Sequence, residues 1–281
     1  SRFLHNRGTA AMELGRATQA VSDLRQAARL GREARVDVSR SYQLLVIAER
    51  QMGNGQSMLR AVQDWMAATP DGIYGQVISN FANLAITHAR IGDFAAADQA
   101  LQQAQTRLAN APAIVRNTWP TWRELWSALV YGAQANIAEL RGQYTAAEAL
   151  YRQAIVNNEI ALTKYDLILM ASSSQFLPKA SLEQRVASDQ IALAGVLAAQ
   201  DRLLEAESEA RRALLGQLYR RGRYVAETAS SVIGLARIIQ SQGRYAEAER
   251  LSAAAVDIYE NVGASKGSWA LAEARTLVAE T

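Results

Sequence analysis

Apolar and polar residues follow one another along this chain with the three-to-four-residue period of an α-helix. No stretch shows the recurrent two-residue alternation of a half-buried strand. The pattern also repeats. "GRYAEAERLSAAA" carries Gly243, an aromatic two residues on (Tyr245), and small residues five and twelve residues on (Ala248, Ala255). "GQYTAAEALYRQA" gives Gly142, Tyr144, Ala147 and Ala154; "GDFAAADQALQQA" gives Gly92, Phe94, Ala97 and Ala104; "GRATQAVSDLRQA" gives Gly15, Ala17, Ala20 and Ala27. Weaker copies start at Gly53, with Gly55 in the aromatic place, and at Asp201, with Leu203 there. An amphipathic stretch precedes each copy, such as "SSVIGLARIIQSQ" before Gly243.

The physical reading is a helical hairpin. The glycine ends a first helix, where a left-handed residue costs least without a Cβ. The aromatic opens the second helix and packs back on the first. The two small residues lie about two turns apart on one face and let the helices approach closely. A lone hairpin cannot bury its apolar face, so neighbours stack. The markers at 15, 53, 92, 142, 201 and 243 are separated by 38, 39, 50, 59 and 42 residues, and the longest gaps bracket 105–185. There "NTWPTWRELWSALVYGAQANIAELRG" predicts one long helix from Pro120, a residue suited to a first turn, and residues 145–170 predict another. "SSSQFLPKAS" (172–181) predicts a loop, since Pro178 stops a helix. "SKGSWALAEARTLVAE" (265–280) predicts a further first helix, either one whose pair lies beyond Thr281 or a lone capping helix. The opening "SRFLHNRG" has neither an initiator Met nor a signal core, and the expectation is a piece of a longer protein.

Composition narrows the classes. Alanine supplies much of the 49% hydrophobic fraction, and alanine loses no side-chain entropy in a helix. The net charge is only +3, with 27 arginines and three lysines spread along the chain, so nucleic acid is not an expected partner. No apolar run approaches the ~18 residues of a membrane span, and no membrane partner is expected. There is no cysteine, hence no disulfide, thiol nucleophile or thiolate metal site. A cytoplasmic location is expected, with any targeting segment outside the chain.

The pattern resembles the tetratricopeptide repeat, in which a small residue in the first helix is followed by Gly-x-Tyr and two alanines. Gly8, Ala85, Ala135, Ala194 and Ala236 take the first-helix small position, and Pro70 falls where the motif's terminal proline stands. The resemblance spans nearly the whole chain and implies a single all-α domain over 1–281. Its fold would be a right-handed α-α superhelix of about six hairpins plus a terminal helix. A narrower likeness, carried by "AEALYRQAIV", "LLEAESEARRALLGQLYRRGRY" and "GRYAEAERLSAAAVDIYENVG", is to the repeat region of bacterial CHAT proteins. It implies a regulatory array beside a caspase-like domain, whose His and Cys have no place in a chain without cysteine. Kinesin light chains and MalT-type regulators share such long repeats.

In the tetratricopeptide family the first helices line a concave groove. Carrying the groove positions over gives Asn6, Arg40, Arg50, Asn83, Arg90, Asn136, Glu139, Arg237 and Gln240 as candidates. Asparagine can pair with an extended peptide backbone through donor and acceptor, and arginine can grip a carboxylate at two points. The carboxylate clamp of some relatives is missing, because Gln43, Ile47, Leu129 and Ala133 occupy its other places. Trp119, Trp122 and Trp126 share one helical face and form a candidate aromatic patch or a piece of core. Arg211, Arg212, Arg220, Arg221 and Arg223 form the densest basic cluster, a solvated face or an anionic docking patch. Catalysis gets little support: there are two histidines, no phosphate loop and no metal-ligand spacing, so neither activity nor cofactor is expected. A closed toroid of hairpins with lining carboxylates is a minor alternative. The expected function is a scaffold that holds a peptide or helix of a partner, or of an adjoining domain of the same polypeptide. Self-association through terminal helices is a further option. The alternative function is a sensor array binding a small molecule near the tryptophans and the 172–181 loop.

Overall fold

The structure, a computed structural model, describes residues 1–14, 16–52, 54–69, 74–171, 179–264 and 269–280, with only the backbone of Glu13, Arg50, Gln51 and Trp269. Fourteen helices and no strand occur among the described residues. In order they are α1 (Arg2–Glu13), α2 (Ala17–Glu33), α3 (Ser39–Gln51), α4 (Gly55–Ala68), α5 (Tyr74–Arg90), α6 (Phe94–Ile114) and α7 (Trp119–Leu140). There follow α8 (Tyr144–Thr163), α9 (Tyr165–Ala171), α10 (Lys179–Ala198), α11 (Leu203–Arg221), α12 (Ala226–Ser241), α13 (Tyr245–Asn261) and α14 (Trp269–Glu280). Sequential pairs α1–α2, α3–α4, α5–α6, α7–α8 and α12–α13 pack as hairpins, and α10 leads into α11 through a short turn. The fold is all-α and built of tetratricopeptide-like hairpins.

The repeat markers close the hairpins as their chemistry predicts. Gly92, Gly142 and Gly243 have φ between +72° and +85°. The Gly142 amide donates to Glu139 O at 2.9 Å and the Gln143 amide to Ala138 O at 2.9 Å, the paired bonds that satisfy the last carbonyls of a helix. Asp201 makes the same closure at φ +62°, bonding to Ala198 O at 3.0 Å, while Arg202 reaches Leu197 O at 3.0 Å. The aromatic after the glycine behaves less uniformly than expected. Phe94 packs against the Ala85–Ala89–Ala97 cluster, whereas Tyr245 opens α13 with half its surface exposed. Gly15, Gly53, Pro70, residues 172–178 of the expected loop and residues 265–268 lie outside the described residues.

Small residues at the helix crossings are buried throughout: Ala85, Ala135, Ala194 and Ala236 in first helices, and Ala97, Ala104, Ala147, Ala154, Ala206, Ala213, Ala248 and Ala255 in second helices. At Gly8 a Cβ would come within 2.8 Å of Leu24 Cγ, so only glycine fits. The second hairpin is the exception. Its equivalent positions are Val46, Met58 and Trp65, all buried, so bulky groups stand where the other hairpins have none.

Residues 145–170, read from sequence as one helix, are two. The break is at Lys164, whose Nζ donates to Glu124 Oε2 at 3.0 Å and Pro120 O at 3.3 Å on α7. The new direction places Ile168 in the core beside Leu125 and Trp126, while Leu167, Leu169 and Met170 stay exposed.

The chain divides into two compact units, residues 1–70 with 214–281, and residues 71–213. In the first, Leu14 joins the core formed by α12, α13 and α14, and Arg16 Nε donates to Gly263 O at 3.2 Å. In the second, α5 to α8 stack in series and α10 packs on α8.

Candidate functional site

The nine groove candidates have different fates. Asn6 is exposed on α1, and Arg90 is exposed in the last turn of α5. Arg40 is half-buried on α3, donates to Gln43 Oε1 at 2.7 Å, and has its pKa lowered by burial. The side chain of Arg50 lies outside the described residues. Asn83 turns back on its own helix, with Nδ2 donating to Ser79 O at 2.8 Å. Arg237 pairs with Glu273 at 2.5 Å, and Gln240 Nε2 reaches Glu280 O at 3.4 Å, so both tie α12 to α14. Only Asn136 and Glu139 enter a shared cluster.

That cluster forms where α7, α8 and α10 meet in the second unit. Gly132, Asn136 and Glu139 recur at i, i+4 and i+7 on α7. Ala147, Tyr151, Ala154 and Asn158 line one face of α8, where the buried alanines bring the two backbones close and the polar pair is carried in with them. The Tyr151 hydroxyl donates to Glu139 Oε2 at 2.6 Å. Burial, with the Glu139 charge second, pushes the Tyr151 pKa far up, and the nearby Asn136 side chain acts in the opposite direction. Asn158, only 2% exposed, donates Nδ2 to Asp189 Oδ2 on α10 at 2.9 Å. Burial lifts the Asp189 carboxyl to about 7 even though Arg185 and the Asn158 amide act against it. The Oδ1 atoms of Asn136 and Asn158 are both buried without a hydrogen-bond partner. A buried acceptor left unpaired costs roughly 1–3 kcal/mol, so the cluster is short of donors. Two amide oxygens and two carboxylates together suit a group rich in N–H, such as an ammonium or guanidinium.

The tryptophans share one face as their spacing predicts, and that face is core. Trp126 is buried, stacks on Trp122 at 5.7 Å between ring centroids, and lies 6.2 Å from Trp119 and 6.0 Å from Tyr74. A Cβ at Gly75 would meet the Trp126 ring at 2.5 Å, so this glycine is needed for space. In the basic cluster, Arg212 pairs with Glu209 at 2.6 Å, Arg223 with Asp257 at 2.9 Å and Arg211 with Glu207 at 2.6 Å. Sequence reasoning missed Asn158 and Asp189. The available signal was a lone carboxylate beside Val186, Ala187, Gln190 and Leu193, on a helix face otherwise buried. No group of three or more His, Asp or Glu placed to hold a metal ion occurs among the described residues, and no described helix is long and apolar enough to cross a membrane.

Residues 1–31 and 228–262 each match a tetratricopeptide-repeat family model, so the chain contains tetratricopeptide repeats. No curated protein matches it. Among solved structures it is similar to BtubC (BKLC) from P. vanneervenii, at 18% identity and TM-score 0.55 over 83% of this chain and 82% of that one. A Podosopora anserina protein, described as a kinesin light chain with nearly identical TPR-like repeats, aligns at 19% identity and TM-score 0.45 over 80% of this chain and 97% of its own. The TPR2AB domain of yeast Sti1, solved as an HSP90 complex, aligns at 17% identity and TM-score 0.31 over 99% of this chain and 97% of its own.

Proposed function

We propose that the chain is a protein-interaction scaffold without catalytic turnover, and that the α7–α8–α10 cluster anchors a basic side chain from a peptide segment of its partner. The observation that carries this reading is the pair of buried, unpartnered amide oxygens of Asn136 and Asn158 beside Asp189 and Glu139. A lysine or arginine supplies the missing donors, and its charge favours the ionised form of Asp189. The partner segment belongs to another protein or to an adjoining domain of the same polypeptide. The caspase-like module implied by the CHAT resemblance of residues 147–156, 203–224 and 243–263 is the adjoining domain this reading favours.

Peptide-library selection on the intact chain tests the reading. Selected peptides should be enriched in Lys or Arg at one fixed position. Asn136→Ala and Asp189→Asn should each weaken their binding about tenfold or more while the helical circular dichroism signal at 25 °C is unchanged. Affinity should rise with pH through about 7, as Asp189 loses its proton. Selection of peptides with no basic position, or unchanged affinity in both variants, would refute it.

A further inference from the structure

The first unit contains a cleft of about 790 Å³ between α2 and α4, floored by α3. Arg25, Arg29 and Arg32 stand at i, i+4 and i+7 on one wall; Ser57, Arg60 and Asp64 stand at i, i+3 and i+7 on the other. Tyr42, Leu45 and Ala61, all buried, form the apolar floor. The cleft lies between α2 of the first hairpin and the second hairpin, whose crossing positions hold Val46, Met58 and Trp65 in place of small residues.

We propose that this cleft docks a phosphorylated segment of a partner protein. The four guanidinium groups are not all neutralised from within. Arg25 is committed to Glu49, a carboxylate only 3% exposed. Arg29 meets Glu33 at 3.7 Å, near the outer limit of an ion pair, and both side chains are more than half exposed. Arg32 donates to the Tyr42 hydroxyl at 3.2 Å, and the Asp64 carboxylate on the opposite wall acts on it through space without an ion-pair contact. Arg60 has no ion-pair or hydrogen-bond partner among the described residues. A carboxylate brings two oxygens and a single charge. A phosphate monoester has three terminal oxygens and close to two charges, so it can engage forks from both walls at once. The apolar floor takes the carbon stem of the modified residue and its neighbours, and the volume lies within the range of side-chain and ligand pockets. The proposal uses residues distinct from the α7–α8–α10 cluster and a probe of opposite charge, so either reading can fail alone.

Fluorescence anisotropy on the full chain decides it. The probes are a labelled Gly-Ser peptide with two adjacent phosphoserines, its unphosphorylated twin, and a version with glutamate at both places. The phosphopeptide should bind and the unphosphorylated twin should not. The glutamate version should bind about tenfold more weakly or worse. Arg29→Ala and Arg60→Ala should each reduce phosphopeptide affinity about tenfold, and Arg60→Lys should recover only part of that loss. Arg116→Ala, which removes an exposed arginine of the second unit, should change nothing. Circular dichroism melts establish that each variant is folded. No phosphate-dependent binding, equal binding of the glutamate peptide, unchanged affinity in both cleft variants, or an equal loss in Arg116→Ala would each overturn the proposal.

Discussion

Asp201 occupies the left-handed position that Gly92, Gly142 and Gly243 hold in their hairpin turns, and its backbone conformation carries a cost that glycine avoids. Asp201→Gly should therefore raise the unfolding free energy by up to about 1 kcal/mol, and Gly142→Ala should lower it by about 1 kcal/mol. A Cβ at Gly142 meets nothing within 4 Å, so that loss is conformational and not steric. Urea titration measures both, and equal stability of all three proteins would contradict the argument. These turns were legible in sequence because a helix closure is local chemistry over six residues. Asp189 is different: its consequence depends on α8, which the sequence does not place beside it. Its raised pKa means the native state binds a proton more tightly than the unfolded chain between roughly pH 4 and 7. Stability contributed there is present at low pH and is lost as pH rises towards 7. Asp189→Asn removes that loss, so the variant should gain on the order of 1–3 kcal/mol over the natural protein at pH 8 and much less at pH 5. Thermal melts at the two pH values check the sign.

At the scale of elements, one crossing position asks for opposite things in different hairpins. Ala147 lies fully buried against α7, so Ala147→Met should cost about 1–3 kcal/mol through overpacking. Met58 holds the equivalent place on α4, and Met58→Ala should cost about 2–5 kcal/mol through the cavity it leaves. Denaturant unfolding of the two variants tests the pair, and a silent Ala147→Met would remove the tight-crossing explanation. Helix identity and hairpin pairing could be read from periodicity. The break at Lys164 could not, because residues 145–170 favour helix throughout and the bend comes from Glu124 and Pro120 on another helix. The arginine cleft was hidden for a related reason. Arg25, Arg29 and Arg32 read as an ordinary solvated face until α4 brings Arg60 opposite them. Asn136 and Glu139 stand at helix positions that the sequence singles out, Asn83 is taken up by Ser79 on its own helix, and Arg237 and Gln240 are occupied by partners on α14 that only the fold supplies.

At the scale of the molecule, the first unit joins segments far apart in the chain. Leu14 shares a core with Ile258, Tyr259 and Leu271, and Arg16 bonds to the carbonyl of Gly263. Leu14→Ala should therefore speed amide hydrogen exchange in α12 and α13 as well as in α1. Exchange in α7 and α8 should stay at its original rate, and hydrogen-exchange mass spectrometry resolves the three regions. An effect confined to residues near 14 would mean that the contact contributes nothing to the far segment. The second unit is continuous in sequence, whereas the first is completed only when residues 214–281 reach residues 1–70. During synthesis on the ribosome, the amino-terminal seventy residues therefore wait through some 140 more before their cover emerges, as the two segment boundaries require. Throughout that interval the apolar flank around Leu14 is open to chaperones, and a slowed ribosome anywhere in residues 71–213 lengthens that exposure.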